Sequence, residues 1–135
     1  ITKFFLLYLK DAIKLKKRFT LLVDTLTSLP NRRYFFRELE KTIEEAKREN
    51  KEFVILFIDI KGFKFINDFY GHDVGDIVLQ EIANRLKANI NGFLARIGAD
   101  EFVVIIKDLQ DIEKFVKILI KNVEKPVRVD DNLIE

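Results

Sequence analysis

The chain has 135 residues, 48% of them hydrophobic, and carries charges of both signs with a net of only +2, which bounds it to one domain with a real core and excludes a disordered segment or a polybasic nucleic-acid binder. It has no cysteine, which excludes disulfides and thiolate metal sites and fits a reducing compartment. No apolar run approaches a membrane span, no signal-peptide pattern appears, and the chain begins at Ile1; it is read as a piece of a longer cytoplasmic protein whose sensor or membrane anchor, if it has one, lies outside this sequence.

In residues 1–23, Phe5, Leu9, Ala12, Phe19 and Val23 follow a three-to-four spacing that runs on to Leu26 and is interrupted by Lys16. The spacing predicts an N-terminal linker helix, either a seam that pairs with a second copy or an amphipathic helix packed on its own domain. Pro30 marks a break, and Asn31 is a suitable N-cap for a helix over Arg32 to Asn50 with Phe35, Phe36, Leu39, Ile43 and Ala46 on its apolar side. Glu52 to Ile60 reads as a strand buried on both faces. Asp59 ends it, and Lys61-Gly62-Phe63-Lys64 leads into a helix over Phe65 to Tyr70. A carboxylate in that position either caps the helix or holds a cation whose phosphate partner sits on the helix N–H groups.

A polar turn follows, with His72, the single histidine, at a helix start rather than in a zinc site or an acid–base triad. The second helix covers Val74 to Asn89, buried through Ile77, Val78, Ile82, Leu86 and Ile90. Ala95 to Val104 then runs apolar into a glycine turn, sets Asp100 and Glu101 there and returns as Phe-Val-Val-Ile-Ile, which predicts a hairpin with acids at its tip. Taken alone, such acids are solvated turn residues. In one sheet with Asp59 they form a carboxylate group without His or Cys, a donor set suited to Mg²⁺ and a nucleoside triphosphate. A helix over Leu109 to Val123, buried through Ile112, Phe115, Val116, Leu119 and Val123, ends before Pro126, and Val127-Arg128-Val129 begins a strand that the chain end cuts short.

Three stretches resemble the GGDEF family of diguanylate cyclase domains: Asp24-Thr25-Leu26-Thr27-Ser28-Leu29-Pro30-Asn31-Arg32; Asp59 to His72 with Gly75-Asp76; and Arg96-Ile97-Gly98-Ala99-Asp100-Glu101-Phe102. The resemblance implies an α+β, palm-like nucleotidyl cyclase fold over residues 24–135, a central mixed sheet flanked by helices and preceded by the N-terminal helix. It implies condensation of two GTP into cyclic di-GMP at a homodimer interface. By position, Asp59 and Asp100 would hold Mg²⁺, or Mn²⁺ in its place, with the Ile60 carbonyl. Gly62, Phe63 and Lys64 would hold the terminal phosphates, and Asn67 and Asp76 would read the guanine edge. Asp100 and Glu101 would be the catalytic carboxylates, with Glu101 near the attacking ribose hydroxyl.

The chain departs from the family pattern at four places. Ala99 replaces a glycine, and its Cβ costs roughly 1 kcal/mol if the backbone there needs φ > 0. Lys61 replaces an Asp; in an extended conformation it would point to the side of Asp59 and compete with a cation. The product-inhibition pair would fall on Asn89 and Gly92, so that site is expected to be absent. The family's last strands and C-terminal helix would lie beyond Glu135, so the chain as it stands is expected to be inactive or nearly so. Pro126-Val127 and the following Asp-Asp-Asn resemble the linker before an EAL phosphodiesterase domain. The alternatives to a cyclase are therefore a degenerate GTP-binding domain that regulates an EAL partner, or a dimerising scaffold that binds no nucleotide.

Overall fold

A computed structural model describes residues 21–134; the expected N-terminal seam lies, but for its last two positions, outside them. Of those two, Val23 forms a bridge with Pro30 and Leu26 sits in a turn against the core, so neither continues a helix.

Helix α1 spans Arg32–Glu49. Its first turn is capped by Asn31, whose side chain accepts the Tyr34 N–H at 3.0 Å, and Asn50 closes it in the left-handed conformation at φ 52. Lys47 and Arg48 lie in the last turn, where the helix dipole favours cations. The buried stripe passes through Phe35 and Thr42, with Leu39 partly buried, whereas Phe36 and Ile43 are exposed. Their spacing is helical, but they lie on the flank of the stripe.

Strand β1, Phe53–Asp59, pairs antiparallel with β3, Glu101–Lys107, which pairs antiparallel with β2, Phe93–Arg96. The sheet order is β1-β3-β2. Two expectations change here. The sheet expected to be mixed is antiparallel in every described pairing. The strand buried on both faces is β3, with five consecutive buried residues, while β1 lies at the edge of the described sheet with Phe57 73% exposed. Both strands are apolar runs, and only the one with a neighbour on each side is fully covered.

Alternation along β3 divides the core in two. Val103 and Ile105 join Phe35 of α1 and Ala95 of β2 on one face. Phe102, Val104 and Ile106 face the opposite layer, built from α3, His72–Asn89, and α4, Ile112–Val123, through Leu79, Leu86 and Leu119. Ile77 and Ile112, expected inside, are exposed, because the buried faces of these helices pass through Val78, Leu79, Ala83 and Leu86 and through Leu119.

The expected C-terminal strand does not run on. β4, Val127–Val129, turns at Asp130 (φ 54) and returns as β5, Asn132–Ile134. Val127, Val129 and Ile134 pack on Ile66 and Val78, so the Asp-Asp-Asn stretch is a hairpin turn inside the fold and not an interdomain linker. Arg85 anchors its approach by donating to the carbonyls of Val123, Lys125 and Pro126 while pairing with Glu81. No helix among the described residues is long and apolar enough to cross a membrane.

Candidate nucleotide and metal site

The β1–β3 register sets Asp59 opposite Glu101. One residue further on, the Ile60 N–H donates to the Asp100 carbonyl at 3.0 Å. The end of β1 and the tip of the β2–β3 hairpin are therefore joined through the backbone, and the three carboxylates expected from the sequence share one sheet end. None of the three is in an ion pair among the described residues, so they remain available to a ligand. Among the described residues no group of three or more carboxylate, imidazole or thiol side chains forms a ready-made cage. Two carboxylates with a backbone carbonyl nevertheless fit a Mg²⁺ ion, which keeps several positions for phosphate oxygens and water.

The chain leaves β1 through a tight turn in which the Phe63 N–H reaches back to the Ile60 carbonyl at 3.4 Å, a weak bond. Gly62 supplies the left-handed conformation that this turn needs, at φ 77. Helix α2 then spans Phe63–Tyr70 without a side-chain cap, leaving first-turn N–H groups for an anion. It starts two residues earlier than expected, so Phe63 and Lys64 belong to its first turn. Because β1 stops at Asp59, Lys61 is an exposed turn residue outside the strand's alternation and is not ion-paired with Asp59. The expected same-side placement by strand alternation is therefore not formed, although Lys61 and Asp59 still line one cavity. Ala99 is likewise relieved: it is not among the residues with positive φ, so its Cβ carries no such strain.

Helices α2 and α3 abut at Gly71 (φ 95), which ends one and starts the other. Its N–H donates to the Asn67 carbonyl at 2.9 Å, and its own carbonyl accepts the Gly75 N–H at 3.1 Å. This corner carries both expected guanine readers: Asn67 on α2 packs against Gly75, and Asp76 follows on α3, exposed. Asn67 Oδ1 is buried with no hydrogen-bond partner among the described residues. His72 is the first residue of α3, in the helix-start role expected of it.

Sequence reasoning missed how the hairpin tip is held. The Arg96 guanidinium donates to the Ala99 carbonyl through Nε at 3.2 Å and Nη2 at 2.7 Å, and through Nη1 to both Asp24 oxygens at 3.1 Å. Asp24 in turn accepts the Thr27 N–H and hydroxyl at 2.9 and 2.7 Å, and the Arg96 N–H donates to Pro30 at 2.9 Å. The loop before α1 is thus tied to the turn that bears Asp100. The clue was that Asp24 and Arg96 open two of the three recognised stretches; nothing local pairs residues so far apart.

Burial pushes the Asp24 carboxyl up, but the Thr27 and Arg96 hydrogen bonds outweigh it and leave the pKa below its ordinary 3.8. A depressed folded-state pKa stabilises the fold above the ordinary value and loses that contribution as pH falls through the lower, folded value. The stability gap between wild type and Asp24→Asn should therefore be constant near neutrality and close on acidification below about 4. Denaturant melts over a pH series check this, and a gap that persists unchanged at low pH would contradict it.

The position expected for product feedback is differently built. Asn89 accepts a hydrogen bond from Asn122 at 3.0 Å and donates to the Arg85 carbonyl at 2.7 Å, bracing α3 to α4. A Cβ on Gly92 would lie 2.6 Å from the Ile105 carbonyl oxygen, so an aspartate there requires the backbone to shift.

The family model for the diguanylate cyclase GGDEF domain matches residues 21–134. The bifunctional diguanylate cyclase/cyclic di-GMP phosphodiesterase MucR of Pseudomonas aeruginosa is 40% identical over 110 residues, which is 78% of this chain and 16% of that protein. The diguanylate cyclase TpbB of the same species is 37% identical over 113 residues, covering 80% of this chain and 26% of its own length. The chain therefore spans only a minor part of these curated relatives. The solved structure of the diguanylate cyclase SiaD from Pseudomonas aeruginosa, in complex with its activator SiaC, superposes with a TM-score of 0.81 at 29% identity, covering 100% of this chain and 54% of that one. With the matching family model spanning the sheet, the helical corner and the acidic hairpin described above, the chain belongs to the GGDEF family of diguanylate cyclase domains.

Proposed function

We propose that this domain binds GTP with Mg²⁺ and, as a homodimer, condenses two GTP into cyclic di-GMP and two pyrophosphates. The observation that carries the proposal is the bridge between the end of β1 and the hairpin tip, Asp59 opposite Glu101 with the Ile60 N–H on the Asp100 carbonyl. In this reading Asp59, Asp100 and the Ile60 carbonyl hold the ion, Mg²⁺ or Mn²⁺ in its place, which when bound supplies electrostatic stabilisation of phosphoryl charge. The first turn of α2, with Gly62, Phe63 and Lys64, receives the terminal phosphates. Asn67 and Asp76 hydrogen-bond the guanine edge, where unpaired polar groups penalise adenine. Glu101 lies beside the ribose 3′-hydroxyl. That hydroxyl attacks the α-phosphate of the GTP on the facing copy, a P–O bond forms as pyrophosphate leaves, and the reaction repeats in the other direction. The protein's part is mainly in-line positioning.

The relatives are longer proteins, and an upstream sensor module and a downstream EAL domain are partners consistent with that. The experiment is to incubate the full protein with GTP and Mg²⁺ and separate the products by chromatography. Cyclic di-GMP is the expected product. Tight GTP binding without product would support the regulatory alternative, and absence of GTP binding would support the scaffold.

A further inference from the structure

The amide of Asn67 occupies space that exists only because residue 75 has no side chain. A Cβ placed on Gly75 would lie 1.8 Å from Asn67 Oδ1 and 3.0 Å from its Cγ, and 3.4 Å from Phe63 Cζ. The first distance is incompatible with the present rotamer, and the second is tight. Gly75 does not have a positive φ, and as an interior helical residue it costs roughly 1 kcal/mol relative to alanine. No backbone requirement offsets that cost. The space it opens is filled by one polar group, whose oxygen is buried without a hydrogen-bond partner among the described residues, an arrangement that a short side chain would abandon for solvent if the seat were not shaped for it.

From this we infer that Gly75 is a positioning residue for nucleobase selection: it seats the Asn67 amide against α3, beside Asp76, so that both side chains face the base from one side. The inference rests on the guanine reading proposed above. Gly75 itself touches no ligand. It acts by leaving open the space between Phe63 and α3 in which the amide rests, so the amide is seated before the nucleotide arrives and little ordering is left for binding.

The chemistry of the clash makes the idea testable. The atom in the way is the end of a short side chain rather than backbone, so Gly75→Ala expels the amide and leaves the helix intact. Affinity for GTP and ATP, each with Mg²⁺, is to be measured by calorimetry on the full protein as wild type, Gly75→Ala, Asn67→Ala and the double variant, with a thermal melt of each. Gly75→Ala is expected to lose about tenfold in GTP affinity, as Asn67→Ala does, with ATP affinity unchanged. The double variant should be no worse than Asn67→Ala alone, because the vacated seat accepts the methyl. A Gly75→Ala protein that keeps its GTP preference while Asn67→Ala loses it would overturn the inference, as would an equal loss for GTP and ATP, which marks a structural defect. If Asn67→Ala itself leaves GTP affinity unchanged, the guanine reading fails first and the inference falls with it.

Discussion

Asp59→Ala or Asp100→Ala is expected to lower cyclic di-GMP formation by about 10³-fold, with the thermal melt almost unchanged. The two effects separate because of how the carboxylates are held. Neither forms an ion pair among the described residues, and what joins the strand end to the hairpin is the backbone bond from the Ile60 N–H to the Asp100 carbonyl, which alanine retains. Removing a carboxylate that serves only a ligand costs the fold little and costs the bound state a metal contact worth several kcal/mol in the transition state. Asp59→Asn tests the same point with shape conserved, since an amide oxygen is a weaker donor to a hard cation. Initial rates and melts on the same preparations check it. A large drop in melting temperature would mean that the acids hold the hairpin together, against the present account.

Phe102→Ala should destabilise the fold by about 3–5 kcal/mol, or roughly 10–20 °C in Tm. Phe102 is 0% exposed and sits next to Glu101 in the central strand, opposite Ile58 on one side and Arg96 on the other. Its ring fills the layer occupied by Leu79, Leu86 and Leu119. Truncation there leaves a cavity under the sheet end that carries the acids, and a domain of ordinary stability loses much of its margin. Ile118→Ala, at a half-exposed helical position, should change stability by no more than about 0.5 kcal/mol. Chemical denaturation of both variants decides it, and similar losses at the two positions would contradict the described packing.

Much of this site was legible in the residues. The glycine turn between two apolar runs foretold the hairpin, and Asp59 at a strand end before Gly62 foretold the turn into α2. Those signals are local, carried by turn chemistry and by the change from alternating to helical periodicity. What escaped was non-local. Phe53–Asp59 and Phe102–Ile106 are both apolar runs, and composition cannot say which has a strand on each side. The Asp24–Arg96 bridge joins residues whose neighbourhood exists only after folding. The β4–β5 hairpin was read as a strand cut short because Asp130 takes positive φ without a glycine to announce it. Gly75 was legible only as part of a stretch resembling the family, because the space that Asn67 fills beside it exists only in the folded chain.

In the proposed function, Asp59 and Asp100 jointly hold a divalent ion beside bound GTP. Mn²⁺ titrated into the GTP-loaded protein and followed by electron paramagnetic resonance reads this directly, because the free-ion signal is lost on binding. Wild type is expected to deplete the free signal stoichiometrically with its GTP sites, and Asp59→Ala and Asp100→Ala each to weaken this at least about tenfold, with the double variant showing only the affinity of free GTP for the ion. Undiminished Mn²⁺ uptake by the double variant would contradict it.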